Sequence, residues 1–246
     1  MVKDAASRGY ERGSEAYRSA RPSYHPTIID QLVRRAAGDP VVELGAGTGI
    51  LTAELIARGV DVIAVEPVDA MRQALIQVVG EANVRDGTAE DIPVASDAAG
   101  AVIAAQSFHW FDPHRALHEI SRILRSGGQL LTVWNVRDES VPWVAACTEV
   151  VDRYAGDTPR YRTMNWRRAI ESDGRFVLDD ERSTPNPQLA NAERVVTRAL
   201  STSFIAALPD DEQAEVAEQI RQIVEGMGER FDYPYRSELQ AWVLSP

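Results

Sequence analysis

An α/β fold, with a mostly parallel sheet covered by helices on both faces, is the class this sequence predicts. Three observations point to it. Short apolar runs alternate with segments of helical spacing from residue 41 to residue 134. Glycines stand where the helical segments stop, at Gly38, Gly59 and Gly127–Gly128. The first apolar run also enters a glycine cluster directly, as a buried strand does before a ligand-facing turn.

The elements follow in order. Residues 1–26 carry Arg8, Tyr10, Arg12, Tyr17, Arg18, Arg21 and Tyr24, end at Pro22 and Pro26, and are expected to form a short helical N-terminal arm. Ile28, Ile29, Leu32, Val33 and Ala36 then recur at helical spacing. Val41–Leu44 reads as a buried strand, Ile50–Arg58 as a helix and Val62–Val65 as a second strand. Asp69 is placed to cap a helix whose Met71, Ala74, Leu75 and Val78 share one face. Residues 82–85 suggest a short strand and 101–105 a buried one. Asp112–Pro113 is an N-cap followed by proline at the first helical position, with Leu117, Ile120 and Leu124 as the apolar stripe. Gln129–Trp134 is the next strand.

After Asn135 the alternation stops. Residues 142–172 read as helical and carry Trp143, Tyr154, Tyr161 and Trp166. A strand over 176–183, helix over 190–228 and a last strand over Tyr235–Leu244 complete the chain. The expected organisation is a single domain over 1–246. Within it, 1–26 is an arm, 27–135 a cofactor-binding core, 136–172 with 190–228 a helical cap, and 231–246 the final strand.

Composition removes several classes of function. The chain has 246 residues and a formal charge of −11, which repels nucleic acid overall. Cys147 is the single cysteine, so neither an internal disulfide nor a cysteine-built zinc site is available. Lys3 is the single lysine, which argues against a P-loop or Schiff-base enzyme. No apolar run reaches the ~18 residues of a membrane helix, and Met1–Tyr24 is polar, so the cytoplasm is the expected compartment. Oligomeric state is left open.

The chemistry gathers at Glu43-Leu44-Gly45-Ala46-Gly47-Thr48-Gly49. Glycines there allow a tight turn and close ligand approach in front of a helix N-terminus. The dinucleotide fingerprint G-x-G-x-x-G would need its third glycine at position 50, which is Ile50. Glu43, an acid inside the strand, opposes a pyrophosphate and suits a cationic ligand. Glu66 closes the second strand, where a carboxylate can accept both hydroxyls of a ribose. An NAD-dependent oxidoreductase and a non-catalytic adenosine-binding module are the competing readings.

V-V-E-L-G-A-G-T-G, then V-I-A-V-E-P, then D-G-T-A-E-D-I-P resemble the class I S-adenosylmethionine-dependent methyltransferases. Within them the chain is most similar to the small-molecule type-11 branch, which includes trans-aconitate and ubiquinone-biosynthesis methyltransferases. The resemblance implies a Rossmann-like, mostly parallel seven-stranded sheet, S-adenosyl-L-methionine as cofactor and a small-molecule acceptor. It places Gly45 and Gly47 along the methionine half of the cofactor and Glu43 beneath its amino group. Glu66 then meets the ribose, Thr88 and Ala89 the adenine, and Gln106 contributes a backbone carbonyl. Tyr17, Arg18 and Arg21 are candidates to close over the cofactor from the arm.

Ser107-Phe108-His109-Trp110-Phe111 follows a strand end and resembles the S-F-H-W-F-D segment of that branch, so it is expected to face the methyl group. His109 is the candidate catalytic base, with pocket shaping as its alternative role. Trp110, Trp143 and Trp166 are the expected acceptor-pocket residues. His114 and His118 lie one turn apart beside Glu119 but lack a further ligand nearby, so no metal is expected. Residues 209–230, with seven acids against two arginines, read as a solvated helix face. Cys147 reads as packed.

Overall fold

The computed structural model describes residues 21–36 and 38–245. Its order is α1 (Pro26–Ala36), β1 (Val41–Leu44), α2 (Ile50–Ile56), β2 (Val62–Val65), α3 (Asp69–Val79), β3 (Val84–Arg85), β4 (Ala99–Ala105), α4 (Pro113–Ile123) and β5 (Leu124–Arg137). Then come α5 (Pro142–Asp152), α6 (Asn165–Asp173), β6 (Phe176–Pro185), β7 (Gln188–Ala190), α7 (Ala192–Leu200), α8 (Ser203–Ala206), α9 (Asp210–Val224), β8 (Phe231–Tyr233) and β9 (Tyr235–Leu244).

Seven strands form one mostly parallel sheet in the order β3-β2-β1-β4-β5-β9-β6. β1 pairs in parallel with both β2 and β4, with Glu43 level with Ala64 on one side and Ile103 on the other. β2 continues in parallel to β3, and β4 to β5. Chain order therefore runs outward in opposite directions from the β1/β4 pair, and a crevice opens at the carboxyl ends of such a pair. Alternation along the strands supplies the layers. Val41, Ala101, Ile103, Leu131, Val133, Leu239 and Ala241 pack on one side with Ile28, Ile29 and Leu32 of α1 and Leu51 and Leu55 of α2. Trp134, one residue on from Val133, meets Trp166 of α6 on the other.

The local signals hold where they are self-contained. Asp112 accepts from the N–H groups of His114 and Arg115, with Pro113 opening α4. Asp69 needs a correction: it is the first residue of α3, Val68 is the N-cap, and the Asp69 carboxylate pairs with Arg72 at 2.9 Å.

By residue contacts the chain divides into two compact units. A sheet unit comprises Tyr24–Asn135, Pro159–Thr184 and Ser237 onward. A helical unit comprises Val136–Thr158, Pro185–Arg236 and the described residues 21–23. The expected cap therefore splits: 136–158 joins 185–236, while 159–172 stays with the sheet. Residues 190–228 hold three helices, and 231–246 holds two strands. β8 leaves the main sheet to pair antiparallel with β7, whereas β9 enters it. The helical unit has its own core, in which Val144, Cys147 and Val151 of α5 meet Val195, Val196 and Ala199 of α7 and Val216 and Ile220 of α9. The acidic α9 buries this one stripe and turns its carboxylates outward. Among the described residues no helix is long and apolar enough to cross a membrane.

Candidate active site

The site residues of the sheet unit gather at the carboxyl ends of β1, β2 and β4. Glu43 lies inside β1 and is 2% exposed. Its carboxylate accepts from the Thr52 hydroxyl of α2 at 2.6 Å. Burial is the main force on it and pushes its pKa up to about 7, against the Thr52 bond and with the help of the Glu66 charge.

Two glycines of the loop after β1 shape the site. At Gly45, with φ +68°, a Cβ would stand 2.8 Å from the Ser107 Cβ. That close approach docks the segment after β4 onto the loop, and the Ser107 hydroxyl completes the junction by donating to the Leu44 carbonyl at 2.7 Å. Gly47 adopts φ +60°, and nothing lies within 4 Å of where its Cβ would be. Its left-handed backbone faces open space. The Gly47 N–H donates to one oxygen of Glu66 and the Val68 N–H to the other, both at 2.8 Å. Glu66 is itself buried, which raises its pKa, while those two N–H bonds and Arg72 act in the opposite sense.

Thr88 and Ala89 sit on a tight turn in which the Thr88 and Asp91 backbones exchange two hydrogen bonds of 3.3 Å. The Ala89 side chain is buried. Gln106 ends β4 at φ +59°, a conformation costly for any residue but glycine. Anchors on both sides hold it there: its N–H donates to the Val133 carbonyl at 2.9 Å and its side-chain amide to the Asn135 carbonyl at 3.0 Å.

His109 and Trp110 lie on a single 3₁₀ turn, Phe108–Trp110, pinned by the buried Phe108. The His109 ring packs against Trp110 at 5.0 Å and Trp134 at 5.5 Å. Trp134 continues to Trp166 at 4.8 Å and Tyr161 at 5.0 Å, forming one aromatic cluster in the sheet unit. Trp166 is 3% exposed and donates its indole N–H to the Tyr161 carbonyl. The Tyr161 hydroxyl donates to Glu238 at 2.5 Å.

Trp143 belongs to the helical unit and packs on Phe231 and Tyr233, while Trp166 is buried in the core of the sheet unit. Arg21 is grouped with the helical unit and donates to the Ser201 carbonyl at 3.1 Å. Tyr17 and Arg18 lie outside the described residues. His114 and His118 are exposed on α4, and no group of three metal-ligating side chains occurs among the described residues. Cys147 is buried, and burial raises its thiol pKa to about 11.

Thr52 and Trp134 were not singled out by the sequence reading as site residues. Thr52 falls nine positions after Glu43, inside an ordinary amphipathic helix, so nothing local marks it as a carboxylate partner. Trp134 had the one usable signal, an aromatic at a strand's carboxyl end.

Comparison with known proteins agrees with this geometry. Residues 42–132, from β1 to β5, match the methyltransferase domain of the type-11 family. An uncharacterised methyltransferase of Mycobacterium tuberculosis is 46% identical over 147 residues, a stretch spanning 60% of this chain and 60% of that protein. An uncharacterised methyltransferase-like protein of Schizosaccharomyces pombe is 33% identical over 211 residues, covering 84% of this chain and 82% of its own. The YcgJ protein of Bacillus subtilis shares the fold, with a TM-score of 0.59 at 17% identity over 90% of this chain and all of that one. No acceptor is named for any of these, so the narrower likeness to trans-aconitate and ubiquinone-biosynthesis enzymes rests on the motifs alone. With the parallel sheet, the glycine turn and the acids at two strand ends in place, the chain belongs to the class I S-adenosylmethionine-dependent methyltransferases, in their type-11 family.

Proposed function

We propose that this chain transfers a methyl group from S-adenosylmethionine to a small-molecule acceptor. One observation carries the reading: the Glu66 carboxylate closes on the Gly47 N–H at the β1/β4 crevice, beside open space over Gly47. When bound, S-adenosylmethionine supplies an activated methyl group on a sulfonium, which is a good leaving group.

The residues fit such a group. Each Glu66 oxygen accepts one N–H and retains a lone pair, so both remain able to accept ribose hydroxyls. Glu43, buried and poised near neutrality, offers its negative charge to an ammonium group. Gly45 and Gly47 expose backbone to the methionine half, Thr88 and Ala89 border the adenine, and the strained Gln106 presents its carbonyl. With so good a leaving group, the protein's main task is alignment and water exclusion, and well-oriented reactants gain roughly 7–11 kcal/mol from placement alone.

The packing of His109 between Trp110 and Trp134 favours pocket shaping over proton abstraction. Trp110, on the same turn as His109, is a candidate for contact with the acceptor. Thermal unfolding tests the cofactor assignment. S-adenosylhomocysteine at a hundred times its dissociation constant should add about 2.7 kcal/mol of stability, and NAD none. A response to NAD without one to S-adenosylhomocysteine would defeat the reading.

A further inference from the structure

The helical unit carries a groove that methyl transfer leaves unused. Where α5 and α9 pack, Val144, Cys147 and Val151 turn inward to meet Val216 and Ile220. On the solvent side the same two helices leave an open groove of about 830 Å³. Ala146 and Val150, one turn apart on α5, and Ile223 of α9 form its apolar floor. Ala146 offers only a methyl group there, which leaves room between the helices. Glu149 and Asp152 of α5 and Gln219 and Gln222 of α9 stand along the rims. The Gln219 amide donates to Glu215 at 3.2 Å and the Gln222 amide to Glu218 at 3.1 Å, so two more carboxylates flank the α9 rim. Arg153 is the single base among the lining residues, and it donates to the Gln219 side-chain oxygen at 2.6 Å. Arg221, the one base of α9, is held by Glu193 of α7 at 3.1 Å.

A groove with an apolar floor and mostly anionic rims selects an occupant that is apolar along one line and cationic on both sides of it. A second copy of the chain would bring its own acidic α9 against these rims. The formal charge of −11 repels nucleic acid and anionic bilayers as well. The space between two packed helices accepts the side-chain ridge of a third. An amphipathic helix meets both demands, with apolar residues at i, i+3, i+4 and i+7 and long cationic side chains whose stems lie on apolar surface while their heads reach carboxylates. We propose that the α5/α9 groove docks a basic amphipathic helix of a partner protein. Its apolar stripe lies over Ala146, Val150 and Ile223, and its cations meet Glu149, Asp152, Glu215 and Glu218. This goes beyond the methyl-transfer reading and does not depend on it.

The test is fluorescence anisotropy of a labelled synthetic peptide titrated with the full chain. The peptide has about 18 residues, or about five helical turns, with leucine at i, i+3, i+4 and i+7 and lysine on the other face. A scrambled peptide of identical composition keeps the charge and loses the stripe. The aligned peptide should bind at least about tenfold more tightly than the scrambled one. Ala146→Phe, which fills the floor, should weaken it about tenfold. Glu149→Lys should slow association and reduce its dependence on salt. Glu149 and Gln222 are exposed, so Glu149→Lys with Gln222→Lys should leave thermal unfolding nearly unchanged and carries the test even if Ala146→Phe fails to fold. Equal affinity for the two peptides, no binding of either, or aligned-peptide binding untouched by these substitutions would overturn the proposal. A dimer in sedimentation velocity that the double charge reversal dissolves would give the groove to a second copy and overturn the partner assignment.

Discussion

Replacing Glu43 by glutamine should make the unliganded protein more stable above neutral pH while weakening its hold on S-adenosylhomocysteine. The Glu43 carboxylate is 2% exposed, and burial moves its pKa from 4.5 to about 7. At about 1.4 kcal/mol per pH unit, that interval corresponds to roughly 3 kcal/mol. Between the two values the folded chain holds a proton that the unfolded chain has released. The Glu43 contribution to stability is therefore complete below about pH 4.5, falls as pH rises to about 7, and stays constant beyond. Glutamine cannot ionise, keeps the volume, and can still accept from Thr52. Urea unfolding at pH 5 and pH 8 should show a flatter pH dependence for Glu43→Gln and a gain of up to about 3 kcal/mol at pH 8. The variant should bind S-adenosylhomocysteine more weakly by about 1.5–3 kcal/mol, the range for a hydrogen bond to a charged group. Identical pH slopes, or a less stable variant at pH 8, would refute the reasoning that this acid is held at a cost for a cationic ligand.

Three further outcomes are expected. Gly47→Val should abolish S-adenosylhomocysteine binding in calorimetry, since a side chain there fills the open space; the left-handed backbone adds a stability cost of about 1–2 kcal/mol, too small to unfold the sheet. Glu66→Ala should weaken binding by about 1.5–3 kcal/mol, and normal affinity in both variants would move the cofactor site elsewhere. His109→Ala should lower turnover without changing the shape of the pH–rate profile, with His109→Asn recovering much of the loss. A drop of about 10²–10⁴ together with disappearance of the acidic limb would instead make His109 the base.

What the sequence determined by itself are features written in neighbouring residues. The strand Val41–Leu44, the glycine turn after it and the carboxylate at the end of Val62–Val65 were legible because a strand's burial, a turn's backbone angles and a strand's end are set within a few positions. The Asp112–Pro113 cap was legible for the same reason, since its hydrogen bonds reach only two and three residues ahead. The final strand was readable from Tyr235 to Leu244, but not its place between β5 and β6.

Tertiary structure alone decided which distant residues meet. Trp143 and Trp166 lie 23 positions apart in one aromatic-rich stretch, yet they pack into different cores. No local pattern records whether a helix's apolar stripe will find Phe231 or Trp134. Glu43 read as an acid suited to a cation, but its pKa near 7 comes from burial in the packed sheet, which outweighs the Thr52 hydrogen bond that α2 brings. Nothing in the sequence marks out Arg198. Only the fold shows its Nε and Nη1 buried without a hydrogen-bond partner among the described residues, because desolvation belongs to the surroundings of a side chain and not to its neighbours in the chain.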